Sequence, residues 1–212
     1  MKTVKLSDIG TVKNTKEFDV VRTNLLLNLG DKKVISVLPT AWNQEVPELT
    51  VQLAKSLARG QRNVLLINAD AKNQGFFEDD GTGLFSILAG GSDLAASVGA
   101  TDISGLSVLS TGEWPEYASE LLGGVRFTEL LKELKNQYDY VFLLLPAMDQ
   151  SIDGIAVSNK TDGCVVITST NTAFNKIKEP VEMLQKGTDL IGTILVKNTS
   201  PWKPKFLSRK KA

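Results

Sequence analysis

Residues 33–68 read KVISVLPTAWNQEVPELTVQLAKSLARGQRNVLLIN, and this stretch decides the fold class. Two of its runs, KVISVL at 33–38 and NVLLIN at 63–68, are apolar almost throughout rather than alternating. Strands of that kind are buried on both faces, which requires a parallel sheet covered by helices above and below. Between the runs, Leu49, Leu53 and Leu57 recur at helical spacing over 46–58, and Gly60 stands where a helix C-cap would fall. The stretch therefore reads as one β-α-β unit.

Working outward, the same alternation continues. A weaker strand is expected at 106–109 and an amphipathic helix at 127–138, with Leu130, Leu131 and Leu134 on one face. YVFLLL at 140–145, GCVVIT within 162–168 and LIGTILV at 190–196 read as further strands, with a helix at 179–186 before the last. A helix at 16–29 precedes the first strand. The expected fold is α/β: a doubly wound, mostly parallel sheet with helices on both faces. Three segments follow: 1–30 with the leading helix, 31–198 as the α/β domain, and 199–212 as a basic tail.

Composition removes several kinds of chemistry. The 212 residues hold 24 Lys and Arg against 24 Asp and Glu, so there is no global basic surplus for nucleic acid. There is no histidine, which excludes Ser-His-Asp and Cys-His catalysis and imidazole metal ligation. The single cysteine, Cys164, rules out an internal disulfide and multi-thiolate zinc sites, and its strand setting suggests an inert core thiol. The opening MKTVKLSDIG lacks the apolar core of a secretory signal, and no apolar run approaches the ~20 residues that cross a bilayer. A cytoplasmic protein is expected, with membrane contact indirect or through the tail. There Lys203, Lys205, Arg209, Lys210 and Lys211 are unopposed by acids; the alternative reading of the tail is a solvated end.

The ordered series EFDVVRTNLLLN at 17–28, KVISV, NVLLINADAKNQ at 63–74, GLFSILAGG at 83–91, ASELLGGVRFTELLKELKNQYDYV at 118–141 and TDGCVVITSTNT at 161–172 is similar to the bacterial tyrosine kinases of capsular and exopolysaccharide assembly. Those are P-loop proteins of the same broad group as the Mrp/MinD/ParA ATPases. The resemblance spans about 18–198 and implies a P-loop fold, ATP and Mg²⁺ as the family ligands, and tyrosine phosphorylation as the family activity. It further implies a membrane adaptor (a polysaccharide co-polymerase) or an active kinase paralogue as partner. A homo-oligomer is compatible with it, through the RTNLL segment that holds Arg22 and Asn24.

Three nucleotide motifs of that family lack their working atoms here. In register with the flanking segments, the phosphate-loop glycines fall at Asn43 and Glu45, the lysine at Val46 and the hydroxyls at Pro47 and Glu48. Pro47 removes a backbone donor, and the two glutamates bring negative charge to a helix start that would otherwise receive phosphate. The aspartate pair after the second strand is Asn68 and Asp70, followed by Lys72, so one acid and one cation remain as vestiges. The aspartate ending the YDYV strand is Leu144, which cannot hold a metal-bound water. Losing two charge-assisted phosphate contacts costs ~3–6 kcal/mol, about a hundredfold to ten-thousandfold in affinity. The expectation is a pseudokinase: no catalytic residue, no bound ATP or Mg²⁺, and a binding or regulatory role. The alternatives are an unorthodox active ATP-binding kinase or ATPase, and a MinD/ParA-like localisation scaffold.

The remaining residues carry weaker signals. The family's assembly helix has Glu, Arg and Arg at the positions of Lys16, Asp19 and Arg22, so its first charge pair is reversed, with Lys16 and Asp19 able to pair as helical neighbours. No tyrosine follows Tyr140, so a tyrosine-rich tail is absent, and Tyr138 and Tyr140 read as packing residues. Trp42, at the mouth of the old cleft, is a candidate plug or partner contact, whereas Trp114 is as readily packed on its own domain. Asp79 or Asp80 with Asp70 forms only a weak candidate cation site.

Overall fold

The structure is a computed structural model that describes residues 2–3, 15–41, 45–70, 81–170 and 172–196. Trp42, Lys72, Asp79, Asp80 and the tail from 199 lie outside the described residues, so the readings placed on them stay as sequence readings.

Among the described residues, eight strands form one sheet in the order β1-β4-β5-β3-β6-β2-β7-β8. They are β1 (Lys2–Thr3), β2 (Val34–Pro39), β3 (Val64–Asn68), β4 (Gly99–Ala100), β5 (Leu106–Leu109), β6 (Tyr140–Leu144), β7 (Gly163–Ser169) and β8 (Leu190–Val196). Every neighbouring pair is parallel except β4 with β5. The helices are α1 (Thr15–Leu29), α2 (Glu45–Ala58), α3 (Leu84–Ala89), α4 (Leu94–Ser97), α5 (Ala118–Gly123), α6 (Val125–Gln137), α7 (Asp153–Ser158) and α8 (Phe174–Gln185).

Alternate strand residues feed two separate apolar layers, which is the physical meaning of the continuous runs. Ile35, Val37, Val64, Leu66, Phe142, Leu144, Val165 and Ile167 join α1 and α2 on one face. Val34, Leu38, Leu65, Ile67, Val141, Leu143, Cys164 and Val166 join α3, α5, α6, α7 and α8 on the other. The doubly wound α/β expectation therefore holds. Winding runs one way from β2 to β3 and β5, and the other way from β6 to β7 and β8, so the carboxyl ends of β2, β3 and β6 meet at the centre of one sheet edge. Ligands of open α/β folds bind at such an edge.

Local details depart from the sequence reading. After α2 the left-handed residue is Gln61, with φ 59°, and not Gly60. The helix unwinds through tight backbone bonds from Gly60 N–H to the Leu57 carbonyl and from Gln61 N–H to the Ala58 carbonyl, which move the reversal one residue on. Helix α8 begins at Phe174 and carries Pro180 in its interior, rather than starting at 179. In α1 the ion pair joins Arg22 to Asp19 at 3.4 Å. Asp19 thus turns toward the next turn of its helix, not back to Lys16.

Candidate functional site

The site is the carboxyl edge where β2, β6 and β3 end and α2 begins. Strand β2 finishes at Pro39 and leads to Thr40, which is 4% exposed. The Thr40 N–H donates to the Ile167 carbonyl at 2.8 Å, and its hydroxyl to Thr168 Oγ1 at 3.0 Å. The Pro39 carbonyl accepts from Met148 N–H at 2.8 Å. Three strand ends are thereby tied together.

Helix α2 starts at Glu45, with Val46, Pro47 and Glu48 completing its first turn. The first backbone N–H groups of a helix have no partner within it and normally serve as anion donors in this fold. Pro47 deletes one of them. Val46, at the position of the phosphate-binding lysine, is 3% exposed. Thr50 is fully buried, and its hydroxyl donates to the Val46 carbonyl at 2.8 Å, so it is committed to its own helix.

Strands β3 and β6 contribute the two acid positions. Asn68 and Leu144 are directly paired across the parallel ladder, and both are 0% exposed. Parity puts Asn68 on the same sheet face as Val64 and Leu66, the face covered by α2. Asn68 Oδ1 accepts the Asp70 N–H at 3.1 Å, a local turn contact, and the Asn68 carbonyl accepts the Thr111 hydroxyl at 3.3 Å. Asp70 is 3% exposed. Val46 and Leu144, the lysine and aspartate positions, belong to one apolar cluster together with Val37, Val51 and Leu66. That arrangement supplies apolar packing where the chemistry of phosphate and Mg²⁺ requires a cation and an oxygen.

The other sequence-predicted site residues lie elsewhere. Arg22 and Asn24 are on α1, with Asn24 exposed and its carbonyl accepting from Asn28 Nδ2 at 2.7 Å. The sequence reading missed the hydroxyl ties from Thr40 and Thr111; polar residues just past each apolar strand were the available signal. Trp114 rests edge-on against Phe85 at 4.6 Å between centroids, which is the packing role. Cys164 is buried, and desolvation pushes its thiol up to about 11, offset in part by Ser36 and Ser158. Among the described residues no cluster of ligand side chains fit for a metal ion occurs.

No protein-family model matches the chain. Individual relatives do. The tyrosine-protein kinase CpsD of Streptococcus agalactiae serotype III is 29% identical over 201 residues, covering 90% of this chain and 86% of its own length. The chain is thus similar to bacterial tyrosine-protein kinases over most of its length. Among solved structures, the chimerical protein CapA2B2 superposes with a TM-score of 0.78 at 22% identity, over 87% of this chain and 86% of that one. The septum site-determining protein MinD of Pyrococcus horikoshii, in its complex with Mg-ADP, gives a TM-score of 0.62 at 19% identity over 77% and 69%. The chain thus shares the fold of these structures, while the positions read as nucleotide motifs hold Val46, Pro47, Asn68 and Leu144.

Proposed function

We propose that this chain is a non-catalytic relative of the bacterial tyrosine kinases that serves as a binding or regulatory partner in capsule or exopolysaccharide assembly. The observation that carries the reading is the shared burial of Val46 and Leu144 in one apolar cluster. Phosphoryl transfer rests on positioning and electrostatics supplied by a lysine and a coordinated Mg²⁺. An apolar cluster at both positions offers neither, and rebuilding it for charge would cost desolvation on each side. Asp70 alone, with Asn68 beside it, does not make up the deficit.

Apolar packing builds both core layers, so the fold serves as a platform. Its partner is a membrane adaptor or an active paralogue, with Arg22 and Asn24 on α1 and, from the sequence reading, Trp42 as contact residues. No described helix is long and apolar enough to cross a membrane, so membrane location comes through that partner or the basic tail. The test is turnover. Purified chain incubated with Mg·ATP is expected to release no ADP above a buffer blank and to gain no phosphotyrosine. Steady ADP release that is lost on Asp70→Ala would overturn the reading in favour of an unorthodox ATPase.

A further inference from the structure

The chain has three tyrosines, and the structure separates them sharply by access. Tyr140 is 8% exposed; its hydroxyl accepts from Arg62 Nη1 at 3.2 Å, and the same guanidinium lies 5.3 Å from the ring centre. Tyr138 is half-buried, and burial pushes its phenol up despite a hydrogen bond with Ser107. Tyr117 is 53% exposed. It stands just before α5, outside the helical conformation, at φ −101° and ψ 31°.

The segment leading to Tyr117 is fixed in place. The Ser110 hydroxyl donates to the Thr82 carbonyl at 3.1 Å, and Thr111 ties to Asn68. The Phe85 N–H donates to the Thr111 carbonyl at 3.1 Å, and Trp114 packs on Phe85. Gly83 and Gly112 touch so closely that a Cβ on Gly83 would lie 2.4 Å from the Gly112 nitrogen. Just past the tyrosine, the Ser119 hydroxyl donates to Asp153 Oδ2 at 2.7 Å. Tyr117 is thus an exposed phenol mounted on a rigid rim at the carboxyl edge of the sheet.

Charge along its stretch of sequence is one-sided. Residues 73–125 contain eight acids and no Lys or Arg, so the rest of this neutral chain carries eight surplus positive charges. Glu113, Glu116 and Glu120 flank Tyr117 and are exposed. Such a rim fits a partner that presents basic residues around its catalytic cleft.

We propose that Tyr117 is a phosphorylation site, modified in trans by an active tyrosine kinase of this chain's own family. This rests on the reading of the chain as a non-catalytic partner of such a kinase. In the step, Tyr117 Oη attacks the γ-phosphorus of ATP held by that kinase. The Oη–P bond forms, the bond to the bridging oxygen breaks to release ADP, and the phenolic proton passes to a base of the kinase. The product adds close to two negative charges to the acidic rim, so it strengthens attraction for arginine clusters on a partner.

The test mixes the full chain with purified CpsD of Streptococcus agalactiae and Mg·ATP and maps phosphotyrosine by mass spectrometry. The expected result is label on Tyr117, lost at least tenfold in Tyr117→Phe and retained in Tyr138→Phe. Raising salt from about 0.05 to about 0.5 M should slow labelling severalfold, because the acidic flank is screened. Absence of label at Tyr117 while CpsD labels itself overturns the proposal, as does label confined to Tyr138 or Tyr140. A parallel sample without CpsD keeps the two readings apart. Self-labelling there contradicts the non-catalytic reading, whereas the mixed sample alone decides the fate of Tyr117.

Discussion

The two ends of the central strands use charge in opposite ways. At the amino end, Asp162 accepts the backbone N–H groups of Lys33 and Val34, each at 2.9 Å, and pairs with Lys135 at 2.5 Å. Burial by itself would raise that carboxyl, but Lys135 and the two N–H groups outweigh it and hold it below the ordinary carboxylate range. At the carboxyl end the positions expected to be ionic hold Val46 and Leu144, in one apolar cluster. Charge anchors the sheet at one end, and apolar packing fills Val46 and Leu144 at the other. The difference teaches that the two ends of one sheet are stabilised by different means, an ionic and hydrogen-bonded anchor at one and apolar packing at the other.

Introducing charge at the apolar end should have the largest effect. Leu144→Asp puts an unpaired carboxylate into a fully buried position, and a loss of about 4 kcal/mol or more is expected in urea unfolding. A stable Leu144→Asp variant would show that the cluster tolerates charge and would break the contrast. Removing charge at the opposite end comes next. Asp162→Asn should cost about 2 kcal/mol, since one charged acceptor serves two N–H groups and a lysine. The folded pKa of Asp162 is depressed, so its contribution is fully present above the ordinary carboxylate pKa near 4 and is lost as pH falls through the lower, folded value. Stability of the wild type should therefore drop more steeply than that of Asp162→Asn below about pH 4, as read by thermal melts across pH.

Smaller effects sharpen the comparison. Trp114→Ala removes an edge-on aromatic pair that is only part-buried, so about 1 kcal/mol is expected. Cys164, with its thiol pushed up to about 11 and fully buried, should not react with a disulfide reagent at pH 8 until denaturant is added. Rapid reaction in native buffer would mean that the β7 region opens, contrary to the burial of Cys164.

Much of the fold was legible because burial on both faces writes continuous apolar runs, as at 33–38, 63–68 and 140–145. Strands β1 and β4 were not, since two-residue pairings leave no periodicity. Helices α5 and α7, each six residues long, are too short for a 3.6-residue pattern to register. Pro180 hid the first half of α8, because a proline reads as a helix start when the rest of the turn is weakly apolar. At the site, the register of Asn68 and Leu144 could be read, but their direct pairing across two strands could not. The acidic rim around Tyr117 was masked by whole-chain neutrality; counting charge by segment would have found it.

The most direct measurement is calorimetric titration of the full chain with Mg·ATP. No saturable heat up to about 1 mM nucleotide is expected, because the cation and metal positions hold apolar side chains. A micromolar Kd, abolished by competition with ADP, would contradict the idea of a closed and apolar edge.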